Sequence, residues 1–268
     1  AEKTDFVRFN HSKIRQAGNV NQATLTLNLI FKKKTLTSVI RLSTDFEKDS
    51  VLLIRTLYYL RREIPELPQD PYLMYEKNIN SFEKNITGSK LDNYSITGNI
   101  LDNCRALDMV GILSSGTIMK GFANSLGQFN WHESESFNFD WSMYAESGKA
   151  IKQNYSDQEW NQEVFSNLLS ESKEKLKVID NKEIILEPGK YRVYLSPSAL
   201  NEIVDMLSWG GFSYKANKIG SSPLHLMEKG EKSFSKIVSF SENLSNGISP
   251  KFHSDGFIKP ETTDLIVN

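Results

Sequence analysis

The first 43 residues alternate between apolar and polar positions in the way that β-strands do. Leucine or phenylalanine occupies every second position from Leu25 to Phe31, and Thr24, Thr26 and Asn28 occupy alternate positions on the other face. Three lysines at 32–34 interrupt the pattern, and it resumes from Leu36 to Leu42. A period of two is typical of a half-buried strand. The pattern predicts a hairpin and, with the apolar residues ahead of it, three or four antiparallel strands.

A helical period follows over residues 46–64. Ser43, Thr44 and Asp45 are good N-cap residues, and leucines recur near every 3.6 positions up to Ile64. Prolines at 65, 68 and 71 come next. Since proline lacks the N–H donor and fixes φ, this segment excludes both a helix and a central strand. We expect a helix packed on the first strands and then a linker.

Residues 72–127 carry weaker signals. The stretch 72–110 shows no sustained periodicity, and its Asp92, Asn93 and Gly98 are typical turn residues. Glycines then recur at 111, 116, 121 and 127, about the spacing at which short strands reverse. This spacing predicts a meander of short strands at 112–113, 117–119 and 122–124.

Residues 129–141 hold the strongest pattern, with aromatic residues at 129, 131, 137, 139 and 141. A long twisted strand is predicted. Glu133 and Glu135 share its aromatic face, so the core must break there, either at a bulge or over an open cavity. Trp131, His132 and Glu133 are candidate substrate contacts, although such an aromatic face is more often core and His132 a hydrogen-bonded strand residue.

The last third of the chain alternates helical and extended patterns. An amphipathic helix is predicted between Asp157 and Lys177, and a short strand at 192–195. Ser196, Pro197 and Ser198 then favour a helix start, and Gly210-Gly211 a stop.

These elements predict an α+β protein in three regions. An N-terminal antiparallel sheet with its packed helix occupies 1–67, a larger strand-rich region 68–190, and a third region 191–268. The chain lacks an initiator Met and stops in an apolar run, so we expect it to be a fragment of a longer protein.

Composition narrows the class of protein. A 39% hydrophobic content can form a core, and a formal charge of −1 disfavours non-specific nucleic-acid binding. The single cysteine excludes an intramolecular disulfide and multi-thiolate zinc sites, and fits a reducing compartment. No apolar run reaches the length of a membrane span. We therefore expect a cytoplasmic protein without membrane or direct nucleic-acid contacts.

Common catalytic motifs are missing from the sequence. Gly116 and Gly121 have P-loop spacing, but Phe122 stands where lysine is needed. Neither a Gly-x-Ser-x-Gly elbow nor a Gly-x-Gly-x-x-Gly fingerprint occurs. The four histidines are widely separated, and Cys104 has no base beside it in sequence, which favours an incidental thiol over a nucleophile.

Three stretches together resemble the TldD/PmbA family, the peptidase-related proteins once called modulators of DNA gyrase. They are 5–10 with 13–17; the run of 107–111, 115–117, 121–127, 130–133 and 137–141; and 207–212 with 222–223 and 256–260. The resemblance covers most of the chain in order, and it implies the fold of that family.

The active branch of the family bears His-Glu-x-x-x-His on a helix, where two imidazoles hold zinc and the glutamate takes a proton from its water. The best register on the helix after Ser196 places Asn201 and Met206 at the histidine positions and Glu202 at the glutamate. An amide and a thioether are poor replacements for imidazoles. The resemblance therefore implies no metal in this chain, and leaves Glu202 as a vestigial catalytic residue or a merely solvated one.

This departure resembles the PmbA/TldE side of the family, which pairs with an active TldD-type subunit. The implied function is a metal-free subunit of a complex that cleaves unfolded peptides, with zinc in the partner. Two alternatives stay open: a self-sufficient hydrolase with its site in a missing C-terminal part, and a non-enzymatic peptide-binding homodimer. Whether this chain is itself an enzyme is likewise open.

Overall fold

The structure is a computed structural model that describes residues 1–86, 92–245 and 247–267. It divides into a first unit, residues 1–183 with 252–258, and a second unit, 184–251 with 259–268. The α+β prediction is confirmed. The strands of the first unit are β1 (Glu2–Asn10), β2 (Lys13–Phe31), β3 (Lys34–Leu42), β4 (Phe82–Ile86), β5 (Met109–Ala123), β6 (Phe129–Tyr144) and β7 (Ala150–Asp157). Its helices are α1 (Phe46–Glu63), α2 (Asn93–Cys104) and α3 (Gln162–Ile179).

The three N-terminal strands and the helix after them are confirmed. β2 is 19 residues long, and it pairs with β1 through its first half and with β3 through its second. α1 begins where the sequence predicts, because the Asp45 side chain accepts a hydrogen bond from the Lys48 N–H. The helix buries the side chain of Leu60 against the protein. A short 3-10 helix (Ile64–Glu66) ends this region at the first proline.

The predicted meander at 112–124 is wrong, because β5 is one continuous 15-residue strand. Its glycines permit close approach and do not reverse the chain. A Cβ on Gly111 would lie 3.1 Å from the Trp141 side chain, and one on Gly121 would lie 3.1 Å from the Trp131 ring. Each glycine faces its tryptophan directly in the β5–β6 register, so the missing side chain makes room for a cross-strand ring.

The sheet has seven strands, six of them in the order β3-β2-β1-β5-β6-β4. β7 pairs with the C-terminal part of β6 (137–144), and β4 runs parallel to its N-terminal part (130–134). α2 was not predicted: Asp92 and Asn93 resemble turn residues, but the Asp92 side chain caps the helix at the N–H groups of Tyr94 and Ser95. The helix then buries Ile96, Ile100 and Cys104.

One aromatic core holds the first unit together. Phe139 is fully buried, with its ring centroid 4.8 Å from that of Trp141 and 6.1 Å from that of Phe165 on α3. Phe9 of β1 meets Phe139 edge-on at 5.8 Å. α2 and α3 therefore cover this part of the sheet face, and the amphipathic pattern predicted between 157 and 177 is confirmed as α3.

The second unit contains α4 (Pro197–Ser208), α5 (Tyr214–Lys218), α6 (His225–Glu228), β8 (Phe240–Asn243) and β9 (Thr262–Ile266). The helix predicted after Ser196 is confirmed as α4. The strand predicted at 192–195 is wrong: this segment has no regular structure and leaves Val193 and Tyr194 largely exposed. An alternating sequence forms a strand only where another strand supplies the hydrogen bonds. The three-region division at 67 and 190 stays a prediction.

None of the described helices is both long and apolar enough to cross a membrane.

Candidate functional site

The candidate site begins with a change of buried face along β6. Phe137, Phe139 and Trp141 are buried on one face, whereas Asn130 and His132 are buried on the other. Pairing with β5 is unbroken from Met109–Met143 to Ala123–Phe129, so no bulge causes the change. The sheet face that carries the aromatic core therefore continues past the core into a region that the helices do not fill.

We call this region the open half of the sheet face. It contains odd-numbered residues of β1 and β6 together with their partners on β2 and β5, since alternate residues of a strand share a face. Glu133 and Glu135 are half-buried there, and Lys3 and Asp5 are exposed. Of the two alternatives that the sequence left for the glutamates, the structure supports the open cavity.

A cleft of about 360 Å³ lies where the core meets the open half. It is lined by Lys3, Thr4, Asp5, Asn19, Val20, Asn21, Asn93, Ser115, Gly116 and Glu135. β1, β2, β5, β6 and the start of α2 all contribute, so the rigid sheet sets its shape. Two carboxylates, three amides and one ammonium group line it, together with apolar surface of similar extent.

Hydrogen bonds fix the floor of this cleft. The Asn93 amide donates to the Asp5 carboxylate at 3.2 Å and accepts from the hydroxyl of buried Ser115. α2 therefore anchors its first residue to two neighbouring strands. The Ser115 hydroxyl donates this hydrogen bond to an amide oxygen, which is too weak a base to activate it as a nucleophile. The arrangement therefore favours binding through charges and amides over nucleophilic attack.

The structure separates the three predicted substrate contacts. Trp131 and Glu133 are half-buried on the open half, with the Trp131 ring lying over Gly121. His132 is only 2% exposed and lies on the opposite face, as its alternate position on the strand requires. Trp131 and Glu133 are thus grouped with the cleft residue Glu135, and His132 is not.

The buried side chain of Gln128, directly before β6, was not predicted as a structural feature from the sequence. Gln128 is 1% exposed, and its amide donates to the Gly256 carbonyl at 2.7 Å and the Asn80 carbonyl at 3.0 Å. Gly256 has φ of 89° and approaches the Phe122 ring so closely that a Cβ would lie 2.6 Å from it. The segment 252–258 therefore packs against Phe122 of β5 and Gln128 just before β6. Gly256, whose φ favours glycine, is the signal that the sequence offered.

Cys104 has no catalytic setting. The thiol is buried at the last residue of α2, and this burial raises its pKa to about 11, although Lys173 partly opposes the shift. A thiol that stays protonated near neutral pH is a poor nucleophile.

Comparisons with known proteins give a fold. No family model matches the sequence, and no curated protein matches it. TldE from Thermococcus kodakarensis matches 99% of the chain with a TM-score of 0.68 at 12% identity. A candidate modulator of a DNA gyrase from Thermotoga maritima matches 99% with a TM-score of 0.72 at 14% identity.

The chain has the TldD/PmbA-type fold. At these identities the likeness shows the fold alone. The chain spans 62% of the length of the first of these structures and 63% of the second.

The TldD/PmbA-type fold raises the question of zinc, and the donors on α4 do not fit this metal. Asn201, Glu202 and Met206 are all exposed on the helix, which buries none of its residues. An amide and a thioether do not supply the two neutral imidazoles that such a site needs. Across residues 1–86, 92–245 and 247–267, no group of three or more histidine, cysteine, aspartate or glutamate residues is placed to hold a metal ion.

Proposed function

We propose that this protein is a metal-free, TldE-like subunit that binds unfolded peptide for a TldD-like peptidase in the cytoplasm. The observation that carries the proposal is the open half of the sheet face, where a cleft lined by carboxylates and amides lies beside the half-buried Trp131 and Glu133. The TldD/PmbA-type fold supports the assignment at the level of architecture.

The chemistry of the open half suits an extended peptide. Backbone amide groups find donors and acceptors in Asn19, Asn21 and Asn93, and Trp131 offers an aromatic face to an apolar side chain. Asp5 and Glu135 against a single lysine give the cleft an excess of negative charge. Basic side chains in the peptide are therefore favoured over acidic ones.

An edge of the sheet runs beside this surface. β4 ends the strand order, and its Glu83 and Asn85 lie in register with Trp131 and Glu133 of β6. An added strand on β4 would gain main-chain hydrogen bonds and pass alongside the open half. Binding of this kind needs neither a metal nor a nucleophile in this chain. Cleavage is then the work of the partner, which supplies the zinc.

Peptide binding is tested by fluorescence anisotropy with short, unstructured, labelled peptides, one rich in lysine and one rich in glutamate. We expect the basic peptide to bind more tightly, and Trp131→Ala to weaken binding about tenfold, equivalent to ~1.4 kcal/mol. Tyr94→Ala, at an exposed aromatic residue of α2, is the matched control and should change nothing. Equal weakening by both substitutions, or no binding to the wild-type chain, would contradict the proposal.

The partnership is tested by co-purification from the native host followed by a peptidase assay. We expect a TldD-like protein to be recovered, and cleavage to require both proteins. Stoichiometric zinc bound through α4 of this chain would instead favour the self-sufficient hydrolase. Peptide binding without any partner or cleavage would favour the non-enzymatic homodimer.

A further inference from the structure

Helix α1 has a second apolar face that the protein leaves exposed. Its inner face packs Leu60 into the protein and half-buries Leu53 and Leu57. On the outer face, Val51, Ile54 and Tyr58 are 58%, 56% and 67% exposed. One such residue is ordinary on a surface, but a continuous row of three on one helix is typical of an interaction site.

The spacing of this row is that of a helix-pairing seam. Glu47, Val51, Ile54, Tyr58 and Arg61 follow one another at intervals of four, three, four and three residues. Alternation of three and four residues places side chains along the line where two helices meet. We call these five residues the α1 seam.

The α1 seam is complementary to itself when a second copy runs in the opposite direction. It begins with an acid in the first turn and ends with a base in the last turn. With a two-fold axis close to Ile54, Glu47 faces Arg61 of the second copy, and the small Val51 lies within one residue of direct opposition to the large Tyr58. A parallel pair would instead oppose acid to acid and base to base, which is unfavourable. Antiparallel packing also opposes the two helix dipoles favourably.

We propose that a second copy of this chain docks on α1 through an antiparallel α1–α1 contact centred on Ile54. The contact is isologous, as most dimers of identical chains are. It does not depend on the proposed peptide-binding function, because the α1 seam and the cleft share no residue.

Cysteine cross-linking tests the geometry, since two cysteines form a disulfide only when their Cα atoms come within about 7 Å. The one native cysteine is buried, so it contributes little background. We expect I54C to form a disulfide-linked dimer efficiently under mild oxidation. V51C and Y58C alone should cross-link poorly, whereas a mixture of the two should give a mixed dimer. Y94C, at an exposed site on α2, measures random collisions.

Charge exchange provides a second test that leaves the apolar residues intact. By analytical ultracentrifugation, we expect E47R and R61E each to weaken the dimer about fivefold or more, and the double variant E47R/R61E to recover most of the loss. A chain that stays monomeric at high micromolar concentration would overturn the proposal. So would equal cross-linking of V51C, Y58C and I54C, or single charge variants that dimerise like the wild type.

Discussion

The two halves of β6 are built from similar aromatic sequence, yet they have opposite roles. In the second half, Phe137, Phe139 and Trp141 lie beneath α2 and α3 and form the core. In the first half, Trp131 is only half-buried on the same face, and the residues between are glutamates. Alternation along a strand assigns residues to faces, but only the covering layer decides whether a face is core or surface.

Truncating one ring in each half should show the largest contrast. Phe139→Ala removes a fully buried ring that contacts three other aromatic rings, so we expect a loss of about 3–5 kcal/mol in the free energy of unfolding. Trp131→Ala should cost less than half as much, because its ring is already partly in water. Urea denaturation followed by circular dichroism measures both. Similar losses would mean that Trp131 is also core.

Gly116 marks the boundary between the halves, and its substitution should have the next largest effect. Its φ is 153°, and a Cβ there would lie 2.1 Å from the Lys3 carbonyl oxygen of β1. We expect Gly116→Ala to cost about 3 kcal/mol, from backbone strain together with displacement of β1. Gly127→Ala is the control: its φ is 99°, but no atom lies within 4 Å of the added Cβ. Its cost should be about 1–2 kcal/mol.

Only some of the strands and helices could be predicted from the sequence. Local periodicity gave the β2–β3 hairpin, α1 and β6, because each repeats one pattern over many residues. It failed for β5, since a glycine spacing does not distinguish chain reversal from close approach to a tryptophan on another strand. α2 was missed although Ile96, Ile100 and Cys104 have helical spacing, because Asp92 and Asn93 also suit turns.

The candidate site was only partly predictable for a related reason. Trp131, Glu133 and Glu135 lie close together in sequence, and their pattern predicted a break in the core, either at a bulge or over an open cavity. Asp5 and Asn93 reach the same cleft from distant elements: strand register pairs Asp5 with Ser115, and the Asn93 amide at the start of α2 hydrogen-bonds to both. No spacing within a single sequence signals such a meeting.

In the aromatic core, the buried thiol of Cys104 predicts that the free energy of unfolding falls at alkaline pH. The unfolded thiol loses its proton near its ordinary pKa of 9.0, whereas burial keeps it protonated in the folded protein up to about 11. The unfolded state therefore binds fewer protons between these values, and stability falls as pH rises through them.

A Cys104→Val variant isolates this contribution. From pH 8 to 11 we expect the wild type to lose ~1–2 kcal/mol more than the variant in the free energy of unfolding. Parallel curves for the two proteins would show that the thiol is not desolvated. A difference that grows in the other direction would place a stabilising cation beside the thiolate.

On the open side, Glu135→Gln should have almost no effect on stability. The carboxylate is half-buried at the edge of the cleft, where water solvates it, so we expect a change within about 0.5 kcal/mol. Its removal should nevertheless weaken binding of the lysine-rich peptide several-fold while leaving the glutamate-rich peptide unchanged. Denaturation and anisotropy on the same preparation separate the two effects. If Glu135→Gln instead lowered stability and left peptide binding unchanged, Glu135 would belong to the core half of β6. The boundary between the two halves would then lie on the N-terminal side of residue 135.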